Sequence, residues 1–205
     1  MKRLLIIGIF FIVASLPAFA EGFYIDIGTG LGIGWTEIDG YNMTDGFNSA
    51  EIDEFATDLG LKIGGGPFGS VPLYGVLEFA AMGHRYDSSS NYWQFNSYLI
   101  GPGIIFYPVP LIQLALSGGL SWVSNQADAS NASMLMYDSK GGFAWNVSAA
   151  FDLGERNHGC LIGLRYFAAY NILEASNGKN IVDEKSSAIS IIVKYAYRHK
   201  VNKKR

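Results

Sequence analysis

Cysteine occurs once, at Cys160, so no internal disulfide can hold this 205-residue chain together. Charged side chains make up only 16%, against about 25% in an ordinary soluble domain. Beyond residue 20 no apolar run approaches the roughly 20 residues that a membrane-spanning helix requires. Basic residues are also scarce. Without Lys2 and Arg3, 13 Lys and Arg remain against 18 Asp and Glu, which argues against nucleic acid as a partner.

Residues 1–20 differ in kind from the rest. Lys2 and Arg3 precede an apolar stretch from Leu4 to Ala14, and Ala18-Phe19-Ala20 supplies small residues at a cleavage position. This predicts a secretory signal peptide cut before Glu21. An uncleaved anchor helix is the alternative, and the stretch is short for it. No Cys near the cleavage site offers a lipid anchor. A single domain over residues 21–198 is expected, with a basic tail at 199–205.

Residues 23–36, FYIDIGTGLGIGWT, alternate without a break. Phe23, Ile25, Ile27, Thr29, Leu31, Ile33 and Trp35 form one set. Tyr24, Asp26, Thr36 and the glycine column Gly28, Gly30, Gly32 and Gly34 form the other. A period of two marks an extended strand with two unlike faces, and this one exceeds the roughly 9–11 residues a tilted strand needs to cross hydrocarbon. No helix follows the glycines, so they are not a phosphate loop. They read as room left inside a narrow barrel.

The pattern recurs to give eight strands. The second covers Phe55 to Ile63, the third about Val71 to Tyr86, and the fourth about Tyr92 to Tyr107. The fifth sets Ile112, Leu114, Leu116, Leu120 and Trp122 against Gln113, Ser117 and Ser121. The sixth sets Tyr137, Phe143, Trp145, Val147 and Phe151 against Lys140, Asn146, Ser148 and Asp152. The seventh carries Arg165 on its polar side, and the eighth sets Ile189, Ile191, Val193, Tyr195 and Tyr197 against Ser190 and Lys194. Longer polar connections at 37–54, 87–91, 125–136 and 173–186 alternate with short Gly- or Pro-rich turns. Long loops on one side, short turns on the other and an even strand count define an outer-membrane barrel.

Alternation alone also suits a soluble barrel of lipocalin type. The polar face separates the two, because it consists mainly of Gly, Ala and Ser with about one charge per strand, which suits a tight eight-stranded lumen. Phe23, Trp35, Trp122, Tyr137 and Tyr197 on the other face would form interfacial girdles. The fold class expected is therefore all-β: an eight-stranded antiparallel up-and-down transmembrane barrel in the bacterial outer membrane, whose first and last strands pair.

Eight charges fall on inward positions: Asp26, Asp58, Lys62, Glu78, Lys140, Asp152, Arg165 and Lys194. Four acids and four bases predict a paired network plugging the lower lumen, with Asp26 facing Lys194 and Arg165 reaching Glu78. The first long loop carries Glu37, Asp39, Asp45, Glu51, Asp53 and Glu54 with no base. Their spacing does not follow an EF-hand, so a solvated acidic surface loop is expected, and no metal or cofactor. Glu174, Asp183 and Glu184 add acidity to the last loop. The tail from Arg198 onward reads as a solvated, basic terminus. No Ser or Asp can be set beside His84, His158 or His199, so an outer-membrane lipid hydrolase has no nucleophile and base in reach.

The signal peptide and the strands FYIDIGTGLGIGW, LALSGGLSW, FAWNVSAAFDLG and AISIIVKYAY resemble the small outer-membrane barrels of OmpX, OmpA membrane-domain and OmpW type. The resemblance covers residues 21–198. It implies a monomer in outer-membrane lipid, delivered by the insertion machinery. OmpX-like and OmpA-like members imply a surface, adhesion or anchoring role toward an extracellular ligand or host surface. OmpW-like members imply a narrow passage for small hydrophobic solutes, which an apolar upper lumen with an opening in the wall would favour. One departure is that Tyr197 is followed by eight residues, whereas such barrels commonly end on an aromatic residue.

Overall fold

The computed structural model describes residues 22–46, 53–68, 70–88, 91–127, 137–154, 157–175 and 181–198. The expected signal peptide, Glu51 and the tail 199–205 lie outside the described residues. The strands are β1 (Phe23–Ile38), β2 (Tyr41–Asn42), β3 (Asp53–Gly65), β4 (Leu73–Ser88), β5 (Asn91–Val109), β6 (Ile112–Ala127), β7 (Tyr137–Asp152), β8 (His158–Ala175) and β9 (Ile181–Arg198), with a 3-10 turn at Met43–Gly46. Each long strand pairs antiparallel with the next, and β1 pairs with β9 from Tyr24↔Arg198 to Ile38↔Glu184. The eight long strands thus close into a ring. Closure removes the free N–H and C=O edge groups that would cost several kcal/mol each in lipid.

The two faces of β1 are as unlike as its sequence. Leu31 is 67% exposed and Ile27 53%, whereas Tyr24, Asp26 and Thr36 are buried. Outward Ile, Leu, Val and Phe side chains on every long strand make an apolar belt, and the packed core lies inside the barrel. In β5, Ile100, Ile104 and Phe106 face out while Leu99, Ile105 and Tyr107 face in.

The ladders run further outward than the sequence suggests. Glu37, Asp53, Glu54, Glu174, Asp183 and Glu184 belong to strands, not loops, because hairpin pairing continues above the lipid belt without needing hydrocarbon around it. Asp39 occupies the turn between β1 and β2 with φ 52°, and Asp45 lies in the 3-10 turn.

A bulge in β7 overturns two sequence expectations. Ser139 pairs with Leu173 and Gly141 with Ile172, so Lys140 is the extra residue. Gly141 takes φ 93°, open to glycine and strained for other residues. One extra residue inverts the alternation beyond it. Lys140 consequently points away from the lumen, half exposed, and pairs with Glu174. Tyr137 turns inward onto the cluster at the outer end of the barrel and leaves the girdle.

Pro102 interrupts the wall in another way. The β5–β6 ladder passes from Ile100↔Leu120 to Gly103↔Ser117 and skips both Gly101 and Pro102. Proline has no N–H, so one rung is missing. Pro102→Ala is expected to restore it and to stabilise the barrel by about 0.5–1.5 kcal/mol in urea titrations of folded protein in lipid. An unchanged or lower midpoint would show that the ring constraint is worth more than the rung.

Candidate functional site

Period-two alternation stacks inward residues in order of depth, and β4 shows the order. From its inner end come Tyr74 and Val76, then Glu78, then Ala80 and Met82, then His84, and last Tyr86. On β8 the same levels are Leu161, Arg165, Phe167 with Ala169, Asn171 and Leu173. The lumen is therefore layered: an aromatic floor, a charged layer, an apolar layer, a polar layer and an apolar mouth.

The floor gathers Tyr24, Tyr74 and Tyr107, with ring centroids 5.2 Å (Tyr24–Tyr74) and 5.9 Å (Tyr74–Tyr107) apart. Gln113 Nε2 donates to the Tyr24 hydroxyl at 2.9 Å and to the Tyr107 hydroxyl at 2.7 Å. Arg198 lies over the Tyr107 ring at 4.7 Å and pairs with Asp152. Arg198 is thus part of the buried interior and not of a solvated tail. Continuing the alternation Lys194, Ala196 by one more step would have placed it.

Above the floor, Lys62 Nζ donates to Glu78 Oε1 at 2.7 Å. The Arg165 guanidinium pairs with Asp58 through one nitrogen and lies 3.5 Å from Glu78 through another. Lys194 Nζ is 3.8 Å from Asp26 and donates to Gln113 Oε1, while the Tyr24 hydroxyl donates to Asp26 at 2.8 Å. Seven of the eight charges named from the sequence lie inside the barrel. The fourth base is Arg198 instead of Lys140, so in the lower lumen four acids still face four bases. Near-neutrality follows directly, since an unpaired buried charge costs several kcal/mol.

The polar layer is a second cluster that the sequence does not single out. Thr36 Oγ1 lies 2.9 Å from His84 Nδ1 and 3.3 Å from Ser186 Oγ. Asn171 Nδ2 donates to Glu184 Oε2 at 2.8 Å, and the Ser186 hydroxyl donates to the other carboxylate oxygen. Glu54 Oε2 stands 3.9 Å from His84 Nε2. Glu184, expected on the surface, is buried because Ser186 and Glu184 continue the inward series of β9 past Ala188. Above it Tyr86, Phe95, Val123 and Leu173 form the mouth, with Ile38, Met43, Trp93, Tyr137 and Val182 packed against them.

Among the described residues no group of three or more His, Cys, Asp or Glu could hold a metal ion. Glu37, Asp39, Asp53 and Glu54 do not converge on one point; Glu54 alone faces the lumen, and it is 36% exposed at its side chain.

No family model matches the chain, and no curated protein does. Among solved structures it is similar to Ail, the attachment invasion locus protein of Yersinia pestis (14% identity, 86% of this chain and 99% of that one, TM-score 0.47). It is likewise similar to the outer membrane protein OprG from Pseudomonas aeruginosa (14%, 87% and 97%, 0.45) and to Neisserial surface protein A (16%, 85% and 97%, 0.46). The closed ring of eight strands and the apolar belt around it make this chain an eight-stranded transmembrane β-barrel of outer-membrane type.

Proposed function

We propose that the barrel is a sealed, non-enzymatic surface protein that carries no ion current and acts through its outer end on an extracellular ligand or surface. The observation that supports this is the charged layer, where Lys62, Glu78, Asp58 and Arg165 are at most 3% exposed, Lys62 pairing with Glu78 on the neighbouring strand and Arg165 reaching Asp58 across the lumen. An ion could pass only by parting those pairs and leaving charges buried without partners, at about 3–5 kcal/mol for each broken pair. The Thr36–His84 contact is the nearest approach of a hydroxyl to an imidazole in the lumen, and both residues are fully buried, out of reach of a lipid substrate. The folded protein in planar bilayers is expected to show no steady conductance. A large, persistent open current would overturn the reading.

A second reading, passage of small hydrophobic solutes, is favoured by the apolar mouth together with a seam in the wall. The β1–β3 ladder ends at Gly32↔Ala56, whereas β1 continues along β9 to Ile38. Residues 33–36 therefore have no rung toward β3. Faster entry of a hydrophobic dye into liposomes carrying the protein, without ion current, would favour this reading over the first.

A further inference from the structure

The outward wall is not apolar to the same height all round. On β1 the exposed series Leu31, Ile33, Trp35 stays apolar toward the outer end, and on β9 Ile191 and Ile189 do the same. β3 to β6 differ. Thr57, which pairs with Leu31, begins a polar row that crosses four strands as Thr57↔Gly83, Gly83↔Asn96 and Asn96↔Ser124. The next row outward sets Phe55 beside Arg85, Arg85 beside Gln94 and Gln94 beside Gln126. These side chains have the parity opposite to buried Ala56, His84, Phe95 and Val123, so they face out.

An aromatic platform lies directly below this shelf. Tyr98 and Trp122 stack with centroids 5.2 Å apart and planes 15° apart, and Phe79 stands 6.4 Å from each. The polar groups above it are held in place. Gln94 Nε2 donates to Asn96 Oδ1 at 2.7 Å, which leaves Gln94 Oε1 and Asn96 Nδ2 with no protein partner among the described residues. The Tyr98 and Ser124 hydroxyls lie 3.2 Å apart. Arg85 is already committed: its Nε and Nη2 donate to Asp87 at 2.8 and 2.7 Å, and its guanidinium lies 4.2 Å from the centroid of the Tyr92 ring. Asp53 pairs with Asp87 across the strands, so the outer rim of the shelf carries no surplus positive charge.

We propose that this shelf holds the sugar headgroup of a glycolipid in the leaflet at the outer end of the barrel. Its position sets lipid as the occupant, because outward side chains bordering the apolar belt meet the headgroups of the surrounding bilayer. Its chemistry selects among headgroups. The Gln94 and Asn96 amides with the Thr57, Tyr98 and Ser124 hydroxyls offer donors and acceptors side by side, as sugar hydroxyls require. Tyr98 and Trp122 supply an apolar body next to a polar tip, which suits a sugar ring with one C–H face. A phosphate group would find Arg85 occupied and two carboxylates near it. An acyl chain would leave the amides unpaired. The inference rests on the barrel spanning a membrane and goes beyond the sealed-lumen reading, since it concerns the outer wall and holds whether or not the lumen conducts.

Native mass spectrometry of the folded protein in detergent tests it, by titration with a monoglucosyl diacylglycerol and with phosphatidylglycerol of the same acyl chains. The glucolipid is expected to bind about tenfold more tightly. Gln94→Leu combined with Asn96→Leu is expected to bring it down to the level of phosphatidylglycerol, and Asn96→Ala, which adds no bulk, to lower it by a smaller factor. Ser187→Leu, on the outward face of β9, is expected to change nothing. Each variant is checked for the mobility shift of a folded barrel on unheated gels. Equal retention of the two lipids by the unaltered protein would overturn the site, as would undiminished glucolipid binding in the Asn96→Ala protein or an equal loss in Ser187→Leu. A protein dimer that replaces the lipid adducts and disappears in the double variant would assign the shelf to a second copy of the chain and overturn the glycolipid.

Discussion

Replacing Arg165 with methionine is expected to destabilise the barrel by about 3–5 kcal/mol, seen as a large fall in the urea midpoint of unfolding from lipid. The size follows from what the side chain holds. Its guanidinium pairs with Asp58 and lies 3.5 Å from Glu78, and all three groups are essentially sealed from solvent. Methionine fills comparable volume, so the loss is electrostatic and not a cavity. Asp58 is left without a base, and Glu78 keeps Lys62 alone. A second change at the other partner separates the pair from its surroundings: Asp58→Asn in the Arg165→Met background is expected to recover part of the loss, because it removes the orphaned charge. Wild-type stability in Arg165→Met would mean that the layer is hydrated enough to tolerate a bare carboxylate, and the sealed-lumen reading would fall with it.

Most of the wall was legible in the sequence because a strand in a barrel has only two environments, lipid and lumen, and the alternation of β1 and β6 states which residue meets which. What escaped has identifiable causes. A period-two count puts Lys140 and Tyr137 on the wrong faces because a bulge at Gly141 inverts it, and the pair Gly141-Gly142 in mid-strand is the available sign of it. Glu184 and Arg198 look like loop and tail in the sequence because charge at a strand end resembles solvation. Their parity with Lys194, four residues before Arg198 and ten after Glu184, placed both inside. The polar layer was beyond reach for another reason. His84 could be set inward from β4 alone, but its meeting with Thr36 and its approach to Glu54 depend on how β1, β3 and β4 are staggered, and alternation carries no information on stagger.

The closing seam is where a single methyl group should matter most, and Gly32→Val is expected to cost at least about 3 kcal/mol and to prevent the compact, heat-modifiable form. The glycine column reads from sequence as room for larger side chains, and at Gly28 and Gly60 the side chains of Lys194 and Arg165 do lie over it. At Gly32 the neighbour is backbone. A Cβ there would come within 1.9 Å of the Ile189 carbonyl oxygen and 2.7 Å of the Ser190 Cα. A lysine or arginine can swing its far end away from a new methyl, but β9 cannot retreat without breaking the ladder it forms with β1 on either side, at Leu31↔Ile191 and Ile33↔Ile189. Valine adds two further methyls to that contact. Gly40 serves as the comparison, since a Cβ there meets nothing within 4 Å and Gly40→Ala has only its φ of 79° to contend with. If Gly32→Val migrates and unfolds like the unmodified protein while Gly40→Ala does not, the tight point of the barrel lies in the β1–β2 turn and not at the β1–β9 closure.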